Sequence, residues 1–226
     1  EPLVYHAKNL PLHLLNTALV FALVYRLSGA RLAAFAVAIL FGVHPQHVES
    51  VAWVAERKDV LFSAFFLAAL HAYLDWRKDG KTASYRRALL LFVGSLLSKP
   101  TAAMLPLSML AVDLWFGLKW ERARLVEKLP FFALSLGFGG LALLFSEQTL
   151  APSPVPAFQA PLLLFDALFF YLVKFMMPIK LACEYPFRHA PGTLYFGHPA
   201  WTVISAAALG AFTLWAVRRS RTALFG

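Results

Sequence analysis

Between residues 44 and 59 the sequence reads His-Pro-Gln-His-Val-Glu-Ser-Val-Ala-Trp-Val-Ala-Glu-Arg-Lys-Asp, the densest polar cluster in the chain. Pro45 suits the first turn of a helix, where its missing N–H costs nothing. On one continuous helix Glu49 and Glu56 stand within about 20° of each other, with Asp59 about 80° away. Three carboxylates so placed, with Arg57 and Lys58 beside them, can hold an acid–base group or an anionic head group. His44, His47 and Glu49 can also be read as metal ligands, although a fourth ligand at a recognised spacing is lacking. An interfacial helix whose charges face water and lipid head groups uses the same residues. Spacing alone leaves these readings open.

Other polar residues sit where apolar surroundings make them costly. Lys99 lies between Ser98 and Pro100 at the end of a short apolar run. It reads either as a snorkelling lysine or as a cation for a phosphate or pyrophosphate at membrane depth. His6, Asn9 and His13 recur at helical spacing and, after Tyr5, form one polar stripe, the natural role of which is hydrogen bonding between helices. His71 and Asp113 lie inside apolar runs and invite the same packing role. Arg188 and His189 are isolated. No glycine-rich phosphate loop is present, and Gly137-Phe138-Gly139-Gly140 reads as close helix packing.

The elements that must position these residues are membrane helices. Hydrophobic residues make up 60% of the 226, and the mean hydropathy is +0.64, against about 45–50% apolar in a soluble domain. Clear apolar runs cover Leu10–Leu27, Leu32–Val43, Val60–Trp76, Ala88–Leu97, Thr101–Phe116, Pro130–Phe145 and Trp201–Val217. They are too long and too continuously apolar for barrel strands, which alternate. The expected fold is therefore all-α: a polytopic transmembrane bundle with about seven crossings. Leu32–Val43 and Ala88–Leu97 are short and stop at His44-Pro45 and Ser98-Lys99-Pro100, as helices do that end in a cavity rather than in lipid.

Charge sets the orientation. The net charge of +9 comes from basic residues in short loops, which is a membrane signal and argues against nucleic-acid binding. The loops carrying Arg26 and Arg31, Arg77 to Arg87, Lys119 to Lys128 and Arg218 to Arg221 hold 14 of the 21 basic residues and are expected in the cytoplasm. The alternate loops, His44–Asp59, Ser98–Thr101 and Ser146–Ala160, then face outward. An eighth run, Pro161–Met177, carries Asp166 and Lys174, and parity favours a re-entrant or interfacial helix there. The single cysteine, Cys183, leaves the redox compartment undetermined.

The run Phe41-Gly42-Val43-His44-Pro45-Gln46-His47-Val48-Glu49-Ser50-Val51-Ala52-Trp53-Val54-Ala55-Glu56-Arg57-Lys58-Asp59-Val60-Leu61 closely resembles bacterial relatives of the transmembrane and tetratricopeptide-repeat O-mannosyltransferases. Tyr5-His6-Ala7-Lys8-Asn9-Leu10-Pro11-Leu12-His13 fits the same pattern. So do Ser98-Lys99-Pro100 with Leu105-Pro106 and Asp113, and Met177-Pro178 with Tyr185-Pro186. The resemblance implies a membrane glycosyltransferase of the C-type fold. Such an enzyme takes a sugar from a polyprenyl-phosphate donor and attaches it to a protein or glycan acceptor on the non-cytoplasmic side. A bacterial inner membrane with the site facing the periplasm is the implied setting.

On this resemblance Glu49 and Asp59 are supporting acids that position the acceptor, or a divalent cation if one is used. His44, His47, Arg57 and Lys99 contact substrate, with Arg57 and Lys99 offsetting phosphate charge, and Arg57 is expected to pair with Glu49, Glu56 or Asp59 when no donor is bound. The chain opens at Glu1 without Met and reads as one membrane domain over residues 1–226, a fragment. The family's upstream acidic pair and downstream repeats are missing from it, which implies an inactive fragment of an active parent. A transporter or flippase for a lipid-linked anion, or a non-catalytic membrane anchor, are the alternatives.

Overall fold

The computed structural model describes residues 2–117, 122–146, 160–179 and 181–182, and the single positions 204, 207 and 211. The described elements are helices: α1 Pro2–Ser28, α2 Arg31–Val43, α3 Val48–Ala52, α4 Arg57–Asp79, α5 Thr82–Ser98, α6 Leu105–Trp115, α7 Arg122–Val126, α8 Leu129–Ser146 and α9 Ala160–Met176. Short 3-10 turns at Pro45–His47, Val54–Glu56 and Pro100–Met104 join them, and no strand occurs among the described residues. The chain divides into two units, Glu1–Ser146 and Glu147–Gly226. The second contributes α9, whose Lys174 donates to the carbonyl of Ile179 at 2.7 Å.

The first unit is built on the α4–α5 hairpin. Gly80 takes a left-handed φ of 65°, a conformation that costs glycine nothing, and ends α4. Asp79 then accepts from the Lys81 amide at 2.9 Å and from the Ser84 hydroxyl at 3.0 Å, which tightens the turn into α5. Ala69, Ala72 and Ala88 are buried and let the helices approach closely, while Tyr73, Phe92, Leu105, Met109 and Phe131 fill the space between α4, α5, α6 and α8. The Cβ that Gly94 lacks would stand 3.2 Å from the Phe65 ring. Outward faces carry Leu32, Leu90 and Leu136, each more than 70% exposed. A soluble bundle would hide such a face, whereas lipid solvates it.

Seven crossings are not what these helices support. Among the described residues, three are long and apolar enough to span a membrane: Asn9–Ser28, Arg57–Asp79 and Arg124–Phe145. They become four if Arg31–Val43 and Pro45–Ala52, bent by 47° at their junction, form one broken span. The physical reason is length without interruption. α2 has 13 residues, about 20 Å of helix against a hydrocarbon core about 30 Å thick. The run Thr101–Phe116 is cut at Met104-Leu105, leaving α6 with 11 residues. α5 has 17, the first turns of which hold Ser84, Arg86 and Arg87. Apart from positions 204, 207 and 211, the run Trp201–Val217 lies outside the described residues, as do the basic residues Arg218 to Arg221, Cys183, Arg188 and His189.

Candidate functional site

The segment expected to form one polar helix is broken twice. Residues 45–47 form a 3-10 turn, Val48–Ala52 a short helix, and Trp53 turns extended at φ −89°, ψ 123° before α4 begins at Arg57. Glu49, Glu56 and Asp59 therefore do not share one helical face.

The first break has a local cause. In α2 the carbonyl of Phe41 would receive the amide of residue 45, but Pro45 has none. The imidazole of His47 replaces it, with Nδ1 2.7 Å from the Phe41 oxygen. A carbonyl can only accept, so Nδ1 carries the proton. The next carbonyl, Gly42, loses its helical donor because the Gln46 amide turns to Nδ1 of His44 at 3.3 Å. His13 on α1 supplies the substitute, its Nε2 3.0 Å from the Gly42 oxygen. Gly42 lets the two helices approach closely here: an added Cβ would meet the Thr17 side chain at 3.3 Å, a tight contact. His13, His44 and His47 thus gather at one junction, with ring centroids 5.6 Å apart for His13–His47 and 6.0 Å for His44–His47. Among the described residues no group of three or more His, Cys, Asp or Glu is arranged to hold a metal ion.

Helix α1 fixes the rest of the segment. Asn9, His13 and Asn16 lie at i, i+4 and i+7, and all three are buried. The Asn9 amide donates to the carbonyls of Val51 and Trp53, both at 3.3 Å. The Asn16 amide donates to Val60 in α4 at 2.8 Å. The polar stripe expected from Asn9 and His13 is there, with Asn16 as an unforeseen member. The side chains of Tyr5 and His6 lie outside the described set.

At the start of α4, Asp59 meets Lys99. Lys99 Nζ stands 2.5 Å from Asp59 Oδ1, and Ser50 donates to Oδ2 at 3.4 Å. Lys99 follows α5 in an extended conformation, φ −156° and ψ 131°, as the residue before Pro100 must. Its amide caps the carbonyl of Ser95 at 3.0 Å, and its carbonyl accepts from Ala102 at 3.1 Å. The backbone is fixed and the side chain is 30% exposed. Glu56 is paired with Lys58 at 3.3 Å.

Arg57 departs from expectation. It makes no ion pair with Glu49, Glu56 or Asp59; its Nε and Nη2 are buried and have no hydrogen-bond partner among the described residues. For two of the three the reason is competition: Lys58 holds Glu56 and Lys99 holds Asp59. Arg57 and Asp59, two apart at the helix start, also point in different directions. The structure thus brings Asp59 and Lys99 together, gathers His44 and His47 at the neighbouring break, and leaves Glu49 and Arg57 without an ion pair among the described residues. Two buried guanidinium nitrogens call for an acceptor, because leaving their N–H groups unmatched is costly.

A second cluster occupies the far end of α4, about 24 Å along the axis from Asp59 to Asp75. Asp75 is held between Arg26 and Arg87, each at 2.5 Å. Asp113 accepts from Tyr73 at 2.7 Å and from Lys128 at 2.5 Å, and the Lys128 side chain is only 1% exposed. Arg77 pairs with Glu127 at 3.3 Å. Asp113 has the packing role its position invites, and His71 likewise bonds the Leu19 carbonyl at 3.0 Å. Lys128, which reads as a loop cation, is instead interior. The signal for it is Asp113 itself, since a carboxylate in an apolar run needs a cation.

The chain is similar in sequence to three curated proteins, among others. The chain is 35% identical over 101 residues to the protein O-mannosyl-transferase Tmtc1 of Drosophila melanogaster, covering 45% of this chain and 12% of that protein. It is 29% identical over 166 residues to Drosophila Tmtc2, covering 70% and 17%. It is 41% identical over 74 residues to human TMTC1, covering 32% and 8%. The chain thus spans less than a fifth of the length of these curated relatives. No family profile and no solved structure matches it.

Proposed function

We propose that this chain, which is related to the TMTC protein O-mannosyl-transferases, is the membrane portion of a glycosyltransferase that uses a polyprenyl-phosphate sugar. The acceptor is a hydroxyl group, on a protein by analogy with the relatives' name. The site lies on the non-cytoplasmic face, periplasmic in a bacterial inner membrane. The observation that carries the reading is the pair of Arg57 guanidinium nitrogens, Nε and Nη2, that are buried without a hydrogen-bond partner among the described residues, close in sequence to an ion-paired lysine–carboxylate couple. Charged donors held in an apolar setting suit a phosphate far better than a neutral ligand.

In the reaction a carboxylate takes the acceptor's proton, the acceptor oxygen bonds the anomeric carbon, and the bond from that carbon to the lipid phosphate breaks. The phosphate leaves with added negative charge. Arg57 and Lys99 offset that charge, most strongly when it is greatest, so they favour the transition state over the bound donor. Glu49 and Asp59 are supporting acids that position the acceptor, and His44 and His47 shape the wall beside them. The charge asymmetry of the loops supports the orientation: the Asp75 end of α4 carries Arg77, Lys78, Lys81, Arg86 and Arg87.

The experiment is transfer of a labelled sugar from a polyprenyl-phosphate donor in membranes holding the full-length protein. Arg57→Ala and Glu49→Gln should each abolish transfer while the protein stays inserted at normal levels. Normal transfer by both variants refutes the site.

A further inference from the structure

The Lys99–Asp59 couple has the build of a latch. Resting on the phosphate reading above, we propose that the lipid phosphate binds by taking Lys99 away from Asp59, so that Asp59 restrains the site until an anionic ligand arrives. Three observations carry this. First, Asp59 is the sole carboxylate that Lys99 pairs with among the described residues, so its charge is the one a second anion meets at the ammonium. Second, the couple is reachable: the side chains are 30% and 20% exposed. The Lys99 backbone is pinned on both sides by hydrogen bonds to Ser95 and Ala102, leaving a long flexible stem to swing.

Third, the Asp59 carboxylate keeps other partners when Lys99 leaves. It sits in the first turn of α4, where the unpaired amides of a helix N-terminus favour negative charge. The Ser50 hydroxyl already points to its other oxygen at 3.4 Å. Breaking an internal ion pair is ordinarily expensive because one charge is stranded. Here neither is: the helix start and Ser50 hold the carboxylate, and the phosphate holds the ammonium. The exchange moves no proton and breaks no covalent bond.

The test is a double-mutant cycle on affinity for geranyl phosphate, measured by calorimetry on the detergent-solubilised full-length protein. Asp59→Asn removes the competitor without changing shape and should tighten binding about tenfold, the worth of one charge-assisted bond that no longer has to be surrendered. Lys99→Met should weaken binding, and in that background Asp59→Asn should change nothing. Asp59→Ser serves as a second variant if the asparagine form is poorly folded. Unchanged affinity in Asp59→Asn, or equal tightening with and without Lys99, overturns the latch, because Asp59 would then act only as a general repulsive charge. Should neither Arg57→Met nor Lys99→Met weaken binding, the phosphate reading falls and the latch falls with it.

Discussion

The imidazole of His47 bonds the carbonyl of Phe41 at 2.7 Å, the one carbonyl that Pro45 leaves without its helical donor. His13 does the same for Gly42 from the neighbouring helix. The bend in the chain is therefore a capped junction, and His47 and His13 each spend one ring nitrogen holding it.

That arrangement predicts a stability cost. His47→Ala should destabilise the protein by about 1–3 kcal/mol, the penalty for an unmatched buried carbonyl. His13→Ala should do likewise. Thermal unfolding in detergent checks both, and unchanged unfolding temperatures would mean the carbonyls find other donors.

The Asp113–Lys128 pair makes a different prediction. Both side chains are almost wholly enclosed, so Lys128→Met strands a carboxylate and should cost about 3–5 kcal/mol. Replacing both, as Asp113→Leu with Lys128→Met, should recover most of that loss. A double variant as unstable as the single one would show that the remaining partners of Asp113, Tyr73 and, at 3.9 Å, Arg77, matter more than the pair.

Glycines on α5 and α8 should behave oppositely. Gly94→Val drives a side chain into the Phe65 ring and should destabilise the α4–α5 hairpin by about 1–3 kcal/mol. At Gly137 a Cβ meets nothing within 4 Å, so Gly137→Ala should be neutral or stabilising by up to about 1 kcal/mol. Equal effects at the two positions would contradict the packing described for α5.

The two ends of α4 should lie on opposite sides of the membrane. With Cys183 changed to Ser, single cysteines at Trp53 and Lys81 should react with an impermeant thiol reagent from opposite faces. Both residues are exposed. Labelling from the same face would remove α4 as a crossing.

Part of this architecture is legible in the sequence and part is not, for physical reasons. A short apolar run ending at His44-Pro45 announces a helix stop, and the structure has one there. The run of residues 44–59 does not announce its second break, because Trp53 and Val54 are as acceptable in a helix as out of one. Crossings are overcounted because hydropathy records composition, whereas a span needs uninterrupted length. Thr101–Phe116 has the first and lacks the second. Long-range partners are hidden altogether: Lys99 and Asp59 are 40 residues apart, and Asn16 and Val60 are 44 apart. The sequence suggests Glu49, Glu56 or Asp59 as the partner of Arg57, and the side chains that take Glu56 and Asp59 from it are its neighbour Lys58 and Lys99 at the end of α5.

The central claim is that the lipid phosphate is held at the Arg57–Lys99 end of α4. The most direct measurement is photo-crosslinking with a polyprenyl-phosphate sugar bearing a diazirine beside the phosphate, mapped by mass spectrometry on the full-length protein in membranes. The account predicts adducts within residues 45–60 and 98–104, competed away by unlabelled donor and lost in Arg57→Ala. Competable adducts confined to residues 77–87 or 122–128, at the opposite end of α4, would contradict it.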